Sequence, residues 1–284
     1  MKPFRWNIAK REQLGDLLDG EFDSAYPEYE KELQVCAAKV LARSRNRRLI
    51  FVGRSPENIY DFLAGTLHST NHEKKIDLLN ISNRFRDVRD IRKELPQSYI
   101  ALQQHFRELE IAPHQLVSTS QGICFTDLVL SGGTFEQLFF FLKTWTDEEG
   151  LDFTSVIRKF GYVGITRRQK NSPNTWRWHQ QLSWVQEHHG IYIKNVSVPE
   201  SLWNYLGNDQ EKVTKGNVPE DWGRDVILLP SREESNLKAL RQAFDIYNLG
   251  INQKQQTAAQ LAMCSEFKES WLRALSMEIK TARG

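Results

Sequence analysis

The stretch Ile123-Cys124-Phe125-Thr126-Asp127-Leu128-Val129-Leu130-Ser131-Gly132-Gly133-Thr134-Phe135 changes character twice within a few residues. Its first part is short, apolar and rich in β-formers, the signature of a buried strand. Ser131-Gly132-Gly133-Thr134 is a turn, and Phe135 to Trp145 is an apolar-rich helix. Two adjacent glycines let backbone N–H groups turn inward around an anion. The helix that follows aims its first N–H groups and the positive end of its dipole at the same place. Ser131 and Thr134 add hydroxyl donors, and the strand delivers Asp127 just before the turn. A phosphate cradle is one reading. The other is a tight strand-to-helix turn that uses its glycines only for packing. The Gly-Lys-Ser/Thr ending of a P-loop is absent.

Working outward, the same grammar recurs upstream. Leu49-Ile50-Phe51-Val52 reads as a strand, Gly53-Arg54-Ser55-Pro56 as a turn, and Pro56 to Thr66 as a helix with Ser55 as its N-cap. Parallel strands of one sheet place both turns at the same carboxyl edge, where open α/β sheets bind ligands. Tyr26 to Ser44 and Gln97 to Leu109 have helical periodicity, and Lys75 to Ile81 fits either strand or helix. Ser155 to Ile157, Tyr162 to Thr166, Ile191 to Val196 and Val226 to Leu229 read as strand material. The tail is helical from Glu233 to Asn248, with a stop at Gly250, and again from Gln256 to Lys280. Its apolar positions, such as Leu240 and Leu275, serve either to cover the sheet or to dock a partner. Alternating strands and helices predict an α/β fold with a largely parallel sheet. The polar run Asp209 to Arg224 is the best linker, dividing a core over 1–208 from a helical region over 209–284.

Phe125 to Thr134 resembles the phosphoribosyl-pyrophosphate loop of type I phosphoribosyltransferases. That family pattern is an apolar strand, two acidic residues, three mostly apolar residues and a Ser/Thr/Gly loop. The likeness is specific over about a dozen residues, and a looser match of strand order runs from about Arg48 to Val198. It implies a sheet of phosphoribosyltransferase type with flanking helices and a helical C-terminal extension. It also implies displacement of pyrophosphate at the ribose C1 carbon, through a transition state of oxocarbenium character. Asp127 would orient the ribose and organise Mg²⁺. Leu130, Ser131, Gly132, Gly133 and Thr134 would hold the 5′-phosphate. Gly53, Arg54 and Ser55 would bind pyrophosphate, with Arg54 neutralising its charge. Thr126 stands where the first acidic residue is usual, so one organising carboxylate is missing. Related domains also serve as nucleotide-sensing regulators, and as effectors of bacterial stress or anti-phage systems, some of them retron-associated. Such a role would involve a protein or nucleic-acid partner.

Charge adds a second theme. The 284 residues carry 38 Lys+Arg against 36 Asp+Glu, a net of +2, which excludes a protein coated in positive charge. Yet Phe153 to Gln186 holds no acid while carrying Arg167, Arg168, Lys170, Trp176, Arg177 and Trp178. Leu41 to Arg54 is likewise acid-free. Guanidinium and indole groups together suit an anion or a nucleic-acid strand. The alternative is buried tryptophans among solvated arginines. Three scattered cysteines form neither a disulfide framework nor a zinc pattern. No leader or membrane-length apolar run is evident, which predicts a cytoplasmic protein without membrane contact. The acceptor base and the oligomeric state have no sequence signal.

Overall fold

Strands form where short β-branched and aromatic runs meet turn residues, and helices form where the apolar period lengthens to 3.6. The structure, a computed structural model, describes residues 4–23, 25–81, 87–168, 177–188, 190–224 and 230–282. In chain order the main elements are α1 (Tyr29–Ala42), β1 (Arg48–Val52), α2 (Glu57–Leu67), β2 (Ile76–Leu79), α3 (Val88–Glu94), α4 (Pro96–Glu108), α5 (Pro113–Ser118) and β3 (Ile123–Leu128). Then come α6 (Gly133–Glu148), α7 (Phe153–Ile157), β4 (Phe160–Arg167), α8 (Ser183–Glu187), β5 (Tyr192–Val198) and α9 (Glu200–Asn204). A π-helical turn at Tyr205–Asp209, α10 (Pro219–Trp222), α11 (Glu234–Asn252), α12 (Lys254–Ala262) and α13 (Ser270–Thr281) complete it.

The five strands are all parallel, in the order β2-β1-β3-β4-β5. The α/β class with a parallel sheet and flanking helices therefore stands. Alternation along the strands feeds two cores. Leu49, Phe51, Cys124, Val163 and Val196 face α1, α2 and the C-terminal helices. Ile50, Val52, Phe125, Phe160 and Tyr162 face α4, α5 and α6. Each face is covered, as an all-parallel sheet requires.

Of the two readings of the tail, covering the sheet holds, and three other expectations change. The tail is part of the core, because Leu261, Leu272, Leu275 and Ile279 are fully buried beside α1 and β1. The helix α11 runs through Gly250 rather than stopping there. A Cβ at Gly250 would lie 2.2 Å from the Phe62 carbonyl oxygen, and one at Gly65 would lie 1.9 Å from that of Tyr247. These two glycines let α2 and α11 approach almost backbone to backbone, and that packing outweighs the helix-breaking tendency of glycine. The 209–224 run is not an exposed linker, since Val213, Thr214, Asn217 and Trp222 are buried. Residues 155–157 are helical, within α7, whose first turn is capped by the Asp152 carboxylate. The expected strand at 226–229 lies outside the described residues. Among those described, no helix is long and apolar enough to cross a membrane.

Candidate functional site

The strand order sets the location. The chain leaves β1 for β2 on one side and leaves β3 for β4 on the other, and α2 and α6 pack on opposite faces. Their N-termini flank the crevice at the carboxyl ends of β1 and β3, the topological switch point of this sheet order. A cleft of about 420 Å³ opens there. Ser55 and residues 127–135 line one wall, and Trp203, Gly207 and Asn208 face them.

The turn after β3 is built for an open mouth. Val129 N–H donates to the Ile165 carbonyl at 2.8 Å, pinning the turn to the end of β4. Leu130, Ser131 and Gly133 then stand exposed. Gly132 precedes α6 with φ +91°, and a Cβ there would meet the Trp178 ring at 2.5 Å. Glycine is thus required both by conformation and by space. No side chain caps α6. The N–H groups of its first turn, Gly133, Thr134 and Phe135, have no intrahelical acceptor and sit at the positive end of a 16-residue helix.

Asp127 lies at the base of this turn, only 7% exposed. It accepts from the Leu128 N–H at 2.7 Å and from the Thr134 hydroxyl. No cation among the described residues accompanies it, and burial pushes its carboxyl up to about 8, against the opposing pull of those two hydrogen bonds. Near neutral pH the group is mainly a neutral acid. It can donate a hydrogen bond to a phosphate or sugar oxygen without repelling the anion. Gln137, one turn along α6, lines the same cleft and holds a buried Oε1 without a partner.

The turn after β1 has a different fate. Gly53 adopts φ +74°, and its N–H is spent on the Leu79 carbonyl at 2.9 Å. Arg54 donates to the Thr214 carbonyl at 3.4 Å and does not line the cleft. Pro56, rather than Ser55, is the residue preceding α2. The N-terminus of α2 already has an internal acid: fully buried Glu57 accepts from the Val213 N–H at 3.1 Å and from the Thr214 hydroxyl. Residues 212–214 therefore seal this turn, and only Ser55 reaches the cleft. Gly53 and Arg54, expected beside the same ligand, do not line this cleft.

Thr126 is wholly buried with an unpartnered hydroxyl. By strand alternation it faces the sheet side opposite Asp127. Asp127 consequently stands as a lone carboxylate, and among the described residues no three metal-ligating side chains cluster. A single, mainly neutral acid does not make a protein-held Mg²⁺ site. Among the basic residues, Arg167 pairs with Glu200 at 2.8 Å. Trp178 packs on Gly132 and donates to Asn195 Oδ1 at 2.6 Å, and so supports the turn. Arg168 and Arg177 line a separate groove. Lys170 and Trp176 lie outside the described residues.

Comparison with protein-family models, curated proteins and solved structures finds no match. The local geometry therefore carries the functional reading.

Of the residues lining this cleft, sequence reasoning singled out Ser55, Asp127 and the loop but not Gln137, Trp203, Gly207 or Asn208. Gln137 had a signal, since it lies three residues after Thr134 and so on the same helix face. The other three come from a distant segment with no local mark. Gly207 and Asn208 lie in the π-helical turn at Tyr205–Asp209, a rare form often found at functional sites, and Trp203 lies at the end of α9 just before it.

Proposed function

We propose that the switch-point cleft binds the phosphorylated end of phosphoribosyl pyrophosphate or a related nucleotide, on a phosphoribosyltransferase-like α/β scaffold. The observation that carries this reading is the uncapped N-terminus of α6, joined to the Ser131 and Thr134 hydroxyls above a buried Asp127. Loop amides and the Ser131 hydroxyl would hold the phosphate, and Asp127, bound by the Thr134 hydroxyl, would meet the adjoining sugar. Among the described residues no Lys or Arg lines the cleft. Attraction would rest on fixed dipoles and depend weakly on salt.

Binding without turnover is favoured within this reading. Arg54 is turned to Thr214 rather than toward a leaving group, and Thr126 supplies no second carboxylate. That arrangement supports a nucleotide-sensing regulator or effector over an active transferase.

Calorimetry with phosphoribosyl pyrophosphate, ribose 5-phosphate and nucleoside monophosphates, each with and without Mg²⁺, tests the cleft. Binding that is lost in Asp127→Ala supports it, and no heat with any of them removes it. Pyrophosphate release with a panel of bases then separates the transferase from the sensor.

A further inference from the structure

A cationic groove stands apart from the cleft, on the β5 side of the sheet. Among the described residues β5 is the edge strand and pairs only with β4. A groove of about 490 Å³ follows its outer side, lined by Lys39 and Arg43 of α1, Arg168 after β4, Arg177, and Lys194 of β5. Among the described residues the only acid on its wall is Glu266, which lies 3.6 Å from Arg43. Lys39, Arg168, Arg177 and Lys194 have no ion-pair partner among the described residues. One outward lysine is what an edge strand needs to resist pairing with another chain. Four further cations, delivered by three other segments, exceed that need.

The cations are also spread along a line. Exposed Arg45 stacks over Tyr192, the first residue of β5, at 5.1 Å. Lys194 lies near its middle, and the Arg168 N–H binds the Val198 carbonyl at its far end. Seven residues of strand span ~20 Å. A lone phosphate needs one end of such a stripe. A polyphosphate backbone needs all of it, and ~20 Å matches about six nucleotides of one strand at a ~3.4 Å rise. Guanidinium forks suit phosphate oxygens. The Arg43 guanidinium also donates to the Asn195 carbonyl, blocking part of the edge against an added peptide strand.

We infer that the β5 edge groove binds the phosphodiester backbone of a nucleic-acid strand, without reading its bases. This inference is independent of the switch-point cleft.

Fluorescence anisotropy of the full chain with labelled oligothymidylate and oligouridylate tests it. Engagement of four phosphates on a single strand predicts a roughly fifty-fold loss of affinity between about 50 and 200 mM salt. Arg168→Glu/Lys194→Glu should weaken binding at least ~10-fold and flatten that salt dependence, whereas Lys10→Glu/Lys74→Glu should change it less than ~3-fold. Should the double reversal fail to fold by circular dichroism, Arg168→Gln/Lys194→Gln gives the same comparison with a smaller expected loss. Absence of binding at low salt, or equal weakening by the two double reversals, overturns the inference. So does tighter binding of a poly-aspartate peptide, or displacement by inorganic phosphate or ribose 5-phosphate at matched ionic strength.

Discussion

The turns after β1 and β3 begin as near twins. Each follows a buried strand, carries a glycine with positive φ and opens a helix with no side-chain cap. They lie side by side at one edge of the sheet. The β1 turn is closed. Glu57 occupies the start of its helix, residues 212–214 cover it, and its glycine N–H is spent on a backbone carbonyl. The β3 turn stays open, supported from behind by Trp178 and walled by residues 203–208. A strand-turn-helix pattern thus supplies the parts of an anion site, and the segment lying over it determines whether the parts are available.

The largest effect should come from unsealing the closed turn. Glu57→Ala leaves a buried N–H and a buried hydroxyl without their acceptor and should cost about 3 kcal/mol in urea unfolding. Proteolysis within 210–217 should accelerate in parallel. A loss below about 1 kcal/mol would mean that the seal is not held this way.

Next comes the glycine contrast. Gly132→Ala meets both a left-handed backbone and the Trp178 ring, and should cost about 2 kcal/mol or more. Gly53→Ala meets the same backbone penalty but only a 3.2 Å approach to the Ile81 carbonyl oxygen, and should cost less. Equal melting-temperature losses would break the distinction between the two turns.

Asp127 gives a pH signature. Its folded-state carboxyl titrates at about 8, above the unfolded value of ~3.9, so the folded state holds a proton that the unfolded chain releases. The contribution is fully present below pH ~4 and is lost as pH rises toward about 8. Asp127→Asn removes this dependence. Its stability relative to wild type should therefore climb between pH 5 and 7.5, by up to ~1.4 kcal/mol per unit. A constant offset across that range would show that Asp127 is ionised in the fold.

The smallest effect on stability belongs to the lip of the cleft. Ser131→Ala should alter unfolding by less than ~0.5 kcal/mol yet weaken binding of a phosphorylated sugar about ten-fold. Arg54→Ala should leave that affinity within about two-fold. A larger loss in Arg54→Ala than in Ser131→Ala would place the ligand at the other turn.

Much of this arrangement was legible in particular residues. Val163 and Ile165 on one face of β4, with Phe160 and Tyr162 on the other, mark a strand buried on both sides. Asp127 and Ser131–Thr134 were readable because every group they use lies within eight residues of chain. Gly250 misled because a helix stop and a close helix crossing ask for the same residue. The 209–224 run misled because its polarity serves buried hydrogen bonds, such as that of Asn217 to the Asn80 carbonyl at 2.8 Å.

Local chemistry by itself determined the two strand-turn-helix units, the parallel α/β class and the anion-ready start of α6, because strand alternation, glycine φ and helix dipoles act over a few residues. Tertiary structure alone decided which turn is open, which arginines are paired and where the unpaired ones gather. Those outcomes depend on contacts between residues more than a hundred positions apart, such as Glu57 with Thr214 or Arg43 with Asn195.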